Sequence, residues 1–146
     1  MLIREAQKSD RDEWLRMREM LWPDSGDDHT QEIDAYLHQP EPNTAVFVAE
    51  RENDKLGGFL EAGIRYYAEG CDTRNVGYIE GWYVDPDLRR QAVGRALVEA
   101  AEQWARARGC REMASDCALH NEVSFKAHLA IGYKEAERAI HFCKVL

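Results

Sequence analysis

The segment of this chain with the plainest chemical potential is Leu88-Arg-Arg-Gln-Ala-Val-Gly-Arg-Ala-Leu97, which stands between an apolar, aromatic run and an amphipathic stretch. A glycine in the first turn of a helix lets backbone amides come close to a bound group. The unpaired amides there, at the positive end of the helix dipole, attract phosphate. Arg89, Arg90 and Arg95 add cationic side chains and make this the one concentrated positive cluster in an acidic chain. An anionic phosphate ligand fits such a segment. A lone glycine beside arginines also describes a solvated basic helix start, so the segment alone does not decide between the two. The four cysteines, Cys71, Cys110, Cys117 and Cys143, have neither C-x-x-C spacing nor histidines at finger-like intervals, so no metal site is expected. No local base marks Cys117 or Cys143 as a nucleophile.

Alternating strands and helices must hold that segment in place. Leu2 to Glu5 predicts a short strand, and Ser9 a cap for a helix carrying Trp14, Met17, Leu21 and Trp22, stopped by Pro23. After the polar stretch Asp24 to Thr30, Ile33, Tyr36 and Leu37 fall at i, i+3 and i+4 in a second helix that Pro40 ends. Thr44 to Glu50, Leu56 to Ile64 and Val76 to Val84 read as strands, the first two a hairpin across Glu52 to Lys55. Val93 to Arg108 is the best helix, with Val93, Leu97, Ala100, Ala101 and Trp104 as its apolar stripe and Gly109 at its end. Arg111 to Asp116 predicts a buried strand, Asn121 a cap for a helix to about Ala130, and Glu137 to Val145 a closing strand or hairpin arm. The order βααβββαβαβ describes one α+β domain over residues 1–146, with a mixed, mostly antiparallel central sheet flanked by helices.

Charge and composition narrow the function classes. With 19 Lys plus Arg against 27 Asp plus Glu, the net charge is −8, which opposes non-specific binding to nucleic acid or anionic membrane and suits a cationic partner. A hydrophobic share of 45% argues against disorder, and no apolar run approaches the ~18 residues of a membrane span. The opening Met1-Leu-Ile-Arg-Glu5 lacks the pattern of a signal peptide, so a cytoplasmic location is expected.

Gln91-Ala-Val-Gly94-Arg-Ala96 matches the Q/R-x-x-G-x-G/A signature of the Gcn5-related N-acetyltransferases (GNAT). The context resembles that superfamily too, with Tyr78-Ile-Glu-Gly-Trp-Tyr-Val84 before it and Asn121 opening a later helix ended by Ile131-Gly-Tyr133. Leu21-Trp22-Pro23, Gly70-Cys71-Asp72, Glu80-Gly81, Gly109-Cys-Arg-Glu-Met-Ala-Ser-Asp116 and Glu137-Arg138 are similar to strings of the aminoglycoside 6'-N-acetyltransferases, so the resemblance covers the whole chain. It implies the GNAT fold and transfer of acetyl from acetyl-CoA to the 6'-amino group of an aminoglycoside, by direct attack in a ternary complex. It further implies antibiotic resistance as the outcome and a homodimer as the assembly. The resemblance assigns coenzyme contacts to Trp82, Tyr83, Val84, Arg89, Arg90, Gln91, Ala92, Val93, Gly94, Arg95, Ala96 and Asn121. It assigns the aminoglycoside to Trp22, Tyr67, Glu80, Asp116 and Glu137.

These assignments suit the reaction. The acceptor amine arrives protonated and must be held as a cation, deprotonated and aimed at a thioester carbonyl. Glu80 and Asp116, at the ends of the strands flanking the coenzyme helix, are alternative bases. Asp72 and Glu137 extend an acidic lining, and Trp22 and Tyr67 offer rings for stacking and cation–π contact. A strand amide near Tyr83 or Val84 is the natural donor to the developing oxyanion. Where many GNAT members place a Tyr, seven residues after the helix-opening Asn, this chain has His128, a candidate general acid that reads more readily as a partly exposed helical histidine, since a coenzyme A thiolate takes a proton from water. Tyr66 and Tyr67 are adjacent, and strand alternation with the spacing to Gly70 favours Tyr67 for the cleft. Ala92 stands where many relatives carry Gly. Other cationic acceptors (a polyamine, an amino sugar or a protein amine) would suit the same lining, and a non-catalytic acyl-CoA sensor would keep the phosphate loop alone.

Overall fold

The computed structural model describes residues 1–25 and 28–146. Branched and aromatic apolar residues make Thr44–Glu50, Leu56–Arg65 and Val76–Val84 into strands β2, β3 and β4, while Leu2–Glu5 forms β1 and Met113–Ser115 forms β5. The five strands lie in one sheet in chain order. Neighbours from β1 to β4 are antiparallel, and β5 runs parallel to β4. The crossover between those last two strands is helix α3 (Val93–Ala107), which buries Val93, Leu97, Val98 and Ala101 against Phe47, Leu60 and Ile79 on one face of the sheet. On the other face α1 (Arg11–Leu21) and α2 (Asp28–His38) bury Trp14, Met17 and Ile33 against Val48, Phe59 and Tyr83. Covered on both sides, β2 and β3 are buried almost throughout, and a side chain such as Leu97 contributes on the order of 2 kcal/mol by leaving water.

Four local expectations change. Ser9 is not the cap of α1, because Lys8–Asp10 form a 3-10 turn in which the Asp10 carboxylate accepts the Gln7 amide at 2.8 Å. Arg4 donates two further hydrogen bonds to Asp10, at 2.7 and 2.9 Å, and a buried ionic anchor of this kind outcompetes an exposed hydroxyl. In the polar stretch 24–30, residues 26 and 27 lie outside the described residues, and α2 already starts at Asp28. The strand expected over Arg111 to Asp116 is only Met113–Ser115 and half-buried, since just those residues find partners on β4 and β5 has no outer neighbour strand among the described residues. The closing strand expected over Glu137 to Val145 is absent. Residues 134–146 are without regular structure and exposed, and they pair with none of the five described strands although β1 and β5 are edge strands, since none of their apolar side chains is buried against the sheet to hold a ladder in place.

Asp85 ends β4 and fixes how the chain enters the phosphate loop. Its buried carboxylate accepts two hydrogen bonds from Arg16, both 3.0 Å, and one from Arg51 at 3.1 Å. Asp85→Ala would remove the carboxylate the two guanidinium groups share and leave Arg16 with Glu13 and Arg51 with Asp87. The expected loss is about 2 kcal/mol, read as a lower midpoint in urea unfolding.

Candidate active site

The sheet forks where the chemistry is expected. β4 and β5 pair through Gly77 and Met113, Tyr78 and Ala114, and Ile79 and Ser115, and then separate while β4 runs on to Val84. The next residues on the two sides of the fork are Glu80 and Asp116. On its other edge β4 carries a bulge, since Ile79 pairs with Ala62 and Gly81 with Glu61, so Glu80 is the extra residue. Such a bulge bends a strand and re-aims its side chains. Glu80 therefore lies within β4, not at its end, but it does lie at the end of the β4–β5 pairing.

Both carboxylates at the fork are engaged. Arg65, the last residue of β3, donates to Glu80 through Nε at 3.0 Å and Nη2 at 2.6 Å. The same guanidinium lies 3.5 Å from the centroid of the Tyr78 ring. The Tyr78 hydroxyl donates to Asp116 at 2.5 Å. Burial and the Asp116 contact push that hydroxyl's pKa far above its usual value, so it stays protonated and remains a donor.

Trp22 is clamped beside this pair. A Cβ on Gly81 would run into the indole, so only glycine allows the ring onto the strand. His29 stacks on the indole at 6.2 Å and its Nε2 is 2.8 Å from the Trp22 carbonyl, while Arg18 stands 5.1 Å over the ring. Arg18 in turn pairs with Glu32 at 2.5 Å and Glu61 at 3.1 Å. Burial pushes Glu61 up to about 7 despite the pull of Arg18, and Glu32 and Glu80 add to the rise. Between the ordinary value of 4.5 and about 7, the folded protein holds a proton that the unfolded chain has released. This contribution to stability is complete below pH 4.5 and is lost as pH rises through about 7. Between pH 5 and pH 8 the melting temperature should accordingly fall more for the native chain than for Glu61→Gln.

The phosphate loop has the geometry of an anion site. Arg90 and Ala92 adopt left-handed backbone, with φ of 64° and 65°. For alanine that conformation costs about 1–2 kcal/mol, which glycine avoids. The first helical amide to find a carbonyl is that of Ala96, which donates to Ala92 at 3.0 Å, so the amides of Val93, Gly94 and Arg95 remain first-turn donors. Arg89 donates to the Val84 carbonyl at 3.0 Å, Gln91 to the Asp87 carbonyl at 2.9 Å and Arg95 to the Ala130 carbonyl at 3.1 Å. Arg90 forms no ion pair among the described residues. A Cβ on Gly94 would stand 3.1 Å from Trp82, whose buried Nε1 has no acceptor among the described residues. Unpaired amides, an orphaned indole N–H and nearby cations are the donor set that a nucleotide diphosphate and its amide-bearing arm require.

Helix α4 (Glu122–Ala130) closes the far side of the fork. The Asn121 side chain caps it by accepting the Ser124 amide at 3.0 Å. His128 is 5.1 Å from the Trp82 ring, edge to face. Its Nδ1 faces the Ser124 carbonyl at 2.7 Å and so carries the hydrogen, which leaves Nε2 to accept from the Ser115 hydroxyl at 2.7 Å. Tyr133 packs against the α3 side of the core and donates to Glu102 at 2.8 Å.

Asp116, His128 and Glu137 line one open cleft of about 1610 Å³, together with Arg65 and Tyr78. Glu80 joins it through Arg65. Trp22 belongs instead to a depression of about 270 Å³ with Arg18 and His29. Tyr67 and Tyr66 are both exposed, and Arg74 lies 5.7 Å from each ring. Since β3 ends at Arg65, strand alternation does not select between them. Asp72 donates its amide to the Glu112 carboxylate at 2.9 Å. Glu137 follows Ala136, which rests against Gly70. Sequence reasoning missed Arg65, Tyr78, Arg18, His29 and Glu61. The one available signal was Glu61, a charge in the middle of an otherwise apolar strand. Cys71 and Cys110 are free thiols whose pKa burial raises, the opposite of nucleophile activation.

The model of the acetyltransferase (GNAT) family matches residues 14–133. An aminoglycoside N(6')-acetyltransferase type 1 of Klebsiella aerogenes is 46% identical over 147 aligned positions, covering 99% of this chain and 97% of the relative. Among solved structures, the apo 6'-N-acetyltransferase AAC(6')-Ig of Acinetobacter haemolyticus superposes with a TM-score of 0.92 at 37% identity, covering 100% and 99% of the two chains. AAC(6')-Iy, solved with the bisubstrate analogue CoA-S-monomethyl-acetylneamine, superposes with a TM-score of 0.90 at 36% identity, covering 99% and 98%. The forked sheet, the phosphate loop and these likenesses along the full length agree, and the chain belongs to the acetyltransferase (GNAT) family.

Proposed function

We propose that this chain acts as one domain, residues 1–146, that transfers acetyl from acetyl-CoA to the 6'-amino group of aminoglycosides. The observation that carries the reading is the fork itself, with a phosphate loop on one side and the carboxylates Glu80 and Asp116 at its opening. The identity to aminoglycoside N(6')-acetyltransferases and the bisubstrate analogue held by AAC(6')-Iy support the acceptor and the donor. Acetyl-CoA supplies an acetyl group activated as a thioester. The amides of Val93, Gly94 and Arg95, with Arg89 and Arg90, hold the diphosphate, and the free edge of β4 from Trp82 to Val84 offers donors to the carbonyl. Asn121 borders the same side.

Glu80, Asp116, Asp72 and Glu137 hold the ammonium groups of the drug, with Trp22 and Tyr67 against its rings. Glu80 or Asp116 takes the amine proton, directly or through a water. The leaving sulfur takes its proton through the His128–Ser115 pair only when both His128 ring nitrogens carry hydrogen, Nε2 then donating to the Ser115 hydroxyl as that hydroxyl passes its own proton on. Neutralising one ammonium weakens a polycation's hold on its anionic target, which is the physical route to resistance. A location in the cytoplasm suits both substrates.

A second copy completes the assembly. Ile140, Phe142 and Val145 are 81%, 91% and 92% exposed, and an apolar tail left in water is a surface that needs a cover. β5 also keeps an outer edge without a partner strand among the described residues. A homodimer with the tail against the partner satisfies both, and light scattering should give twice the chain mass.

A steady-state assay with kanamycin or tobramycin against spermidine and a basic peptide tests the acceptor class. Turnover of the drugs alone is expected. Preference for spermidine or the peptide would reassign the site, and coenzyme binding without any acetyl transfer would make it a sensor.

A further inference from the structure

The acids that should attract the drug already hold a cation belonging to the protein. Arg65 makes a bidentate pair with Glu80, at 3.0 and 2.6 Å, with its guanidinium face over the Tyr78 ring at 3.5 Å. The Tyr78 hydroxyl is bonded to Asp116 at 2.5 Å, so the arginine touches Glu80 directly and is linked to Asp116 through the tyrosine. The charged or titratable groups facing it are Glu80 and Tyr78 from β4 and Asp116 from the end of β5. Arg65 and Glu80 are 44% and 39% exposed, so the pair is reachable from the cleft and is not locked in the core. Arg65, Tyr78 and Asp116 line the same cleft.

An ammonium group approaching Glu80 meets a carboxylate whose two oxygens are already shared with a guanidinium, which weakens its hold there. Two cations at one carboxylate repel, and the arginine stem ends a strand whose next residues are exposed, which leaves it room to swing into solvent. We propose that Arg65 is a resident counter-ion of the acceptor site, displaced from Glu80 when the drug binds, and that it sets how much positive charge an acceptor must bring to enter. The inference rests on the acceptor reading given above and makes Arg65 a specificity-determining residue of that reaction. A neutral or singly charged amine lacks the attraction to the remaining acids needed to evict it, whereas a polycation does not.

The test is Arg65→Met, which keeps an apolar stem against Tyr78, beside Arg65→Lys. An exposed ion pair is worth up to about 1 kcal/mol, so removing the competitor should lower KM and the calorimetric Kd for tobramycin by about three- to fivefold. Arg65→Lys should restore most of the native KM, and the gain in Arg65→Met should shrink as salt is added. An unchanged or raised KM in Arg65→Met would overturn the proposal. So would a fall in kcat and melting temperature with KM untouched, the mark of a merely structural arginine. If the native chain turns over tobramycin and Arg65→Met matches it, only the counter-ion role fails. If the native chain turns over no aminoglycoside, the acceptor reading fails and takes this proposal with it.

Discussion

Glu80→Gln combined with Asp116→Asn is expected to lower kcat/KM for an aminoglycoside by at least about a hundredfold, the lower range of general acid–base effects. The two carboxylates stand on either side of the point where β4 and β5 part, and the proposed reaction assigns the amine proton to one or the other. A single replacement leaves its neighbour in place and should cost less than the pair, since either acid can stand in for the other. Both exchanges preserve shape. Tyr78 keeps an oxygen acceptor at position 116, and Arg65 keeps an amide oxygen at position 80 in place of its carboxylate partner. Calorimetry should therefore find coenzyme binding intact. Full activity in the double variant would move the base elsewhere.

The second large effect concerns the donor side. Gly94→Val is expected to weaken coenzyme binding by roughly ten- to hundredfold, the value of one or two hydrogen bonds to a charged group. A Cβ at this position already comes within 3.1 Å of Trp82, and a branched side chain would lift the start of α3 from β4. The first-turn amides would then no longer converge on one anion. The core face of α3 begins at Val93 and Leu97 and continues through Ala101 to Ala105, so the fold should survive and circular dichroism should be unchanged. An unaltered affinity would show that the amides of this turn do not carry the diphosphate.

Much of the frame was legible because it depends on local patterning. The apolar stripe of α3 and the glycine beyond its end follow from a period of 3.6, and the three long strands from apolar, β-branched and aromatic runs set between turn-forming residues. The phosphate loop was legible for the same reason, being contiguous. The acceptor side was only partly so. Glu80 owes its placement to a bulge opposite Glu61 and Ala62, a feature of pairing and not of composition. Arg65 meets Glu80 and Tyr78 across two strands, at separations that no spacing rule links. His29 drew no attention because its role is to fix Trp22 from the neighbouring helix. The tail misled for a different reason. Its apolar residues do read as a strand, but a strand requires a ladder partner, and the exposed tail pairs with none of the five described strands, the edge of β5 included.

The central claim is tested most directly by mixing the native chain with acetyl-CoA and tobramycin and locating the acetyl group in the product by NMR. A mass gain of one acetyl, with the amide proton assigned to the 6'-nitrogen, is the expected result. Tobramycin recovered unmodified, or acetylated on a different amine, would contradict the arrangement of coenzyme, carboxylates and acceptor described here.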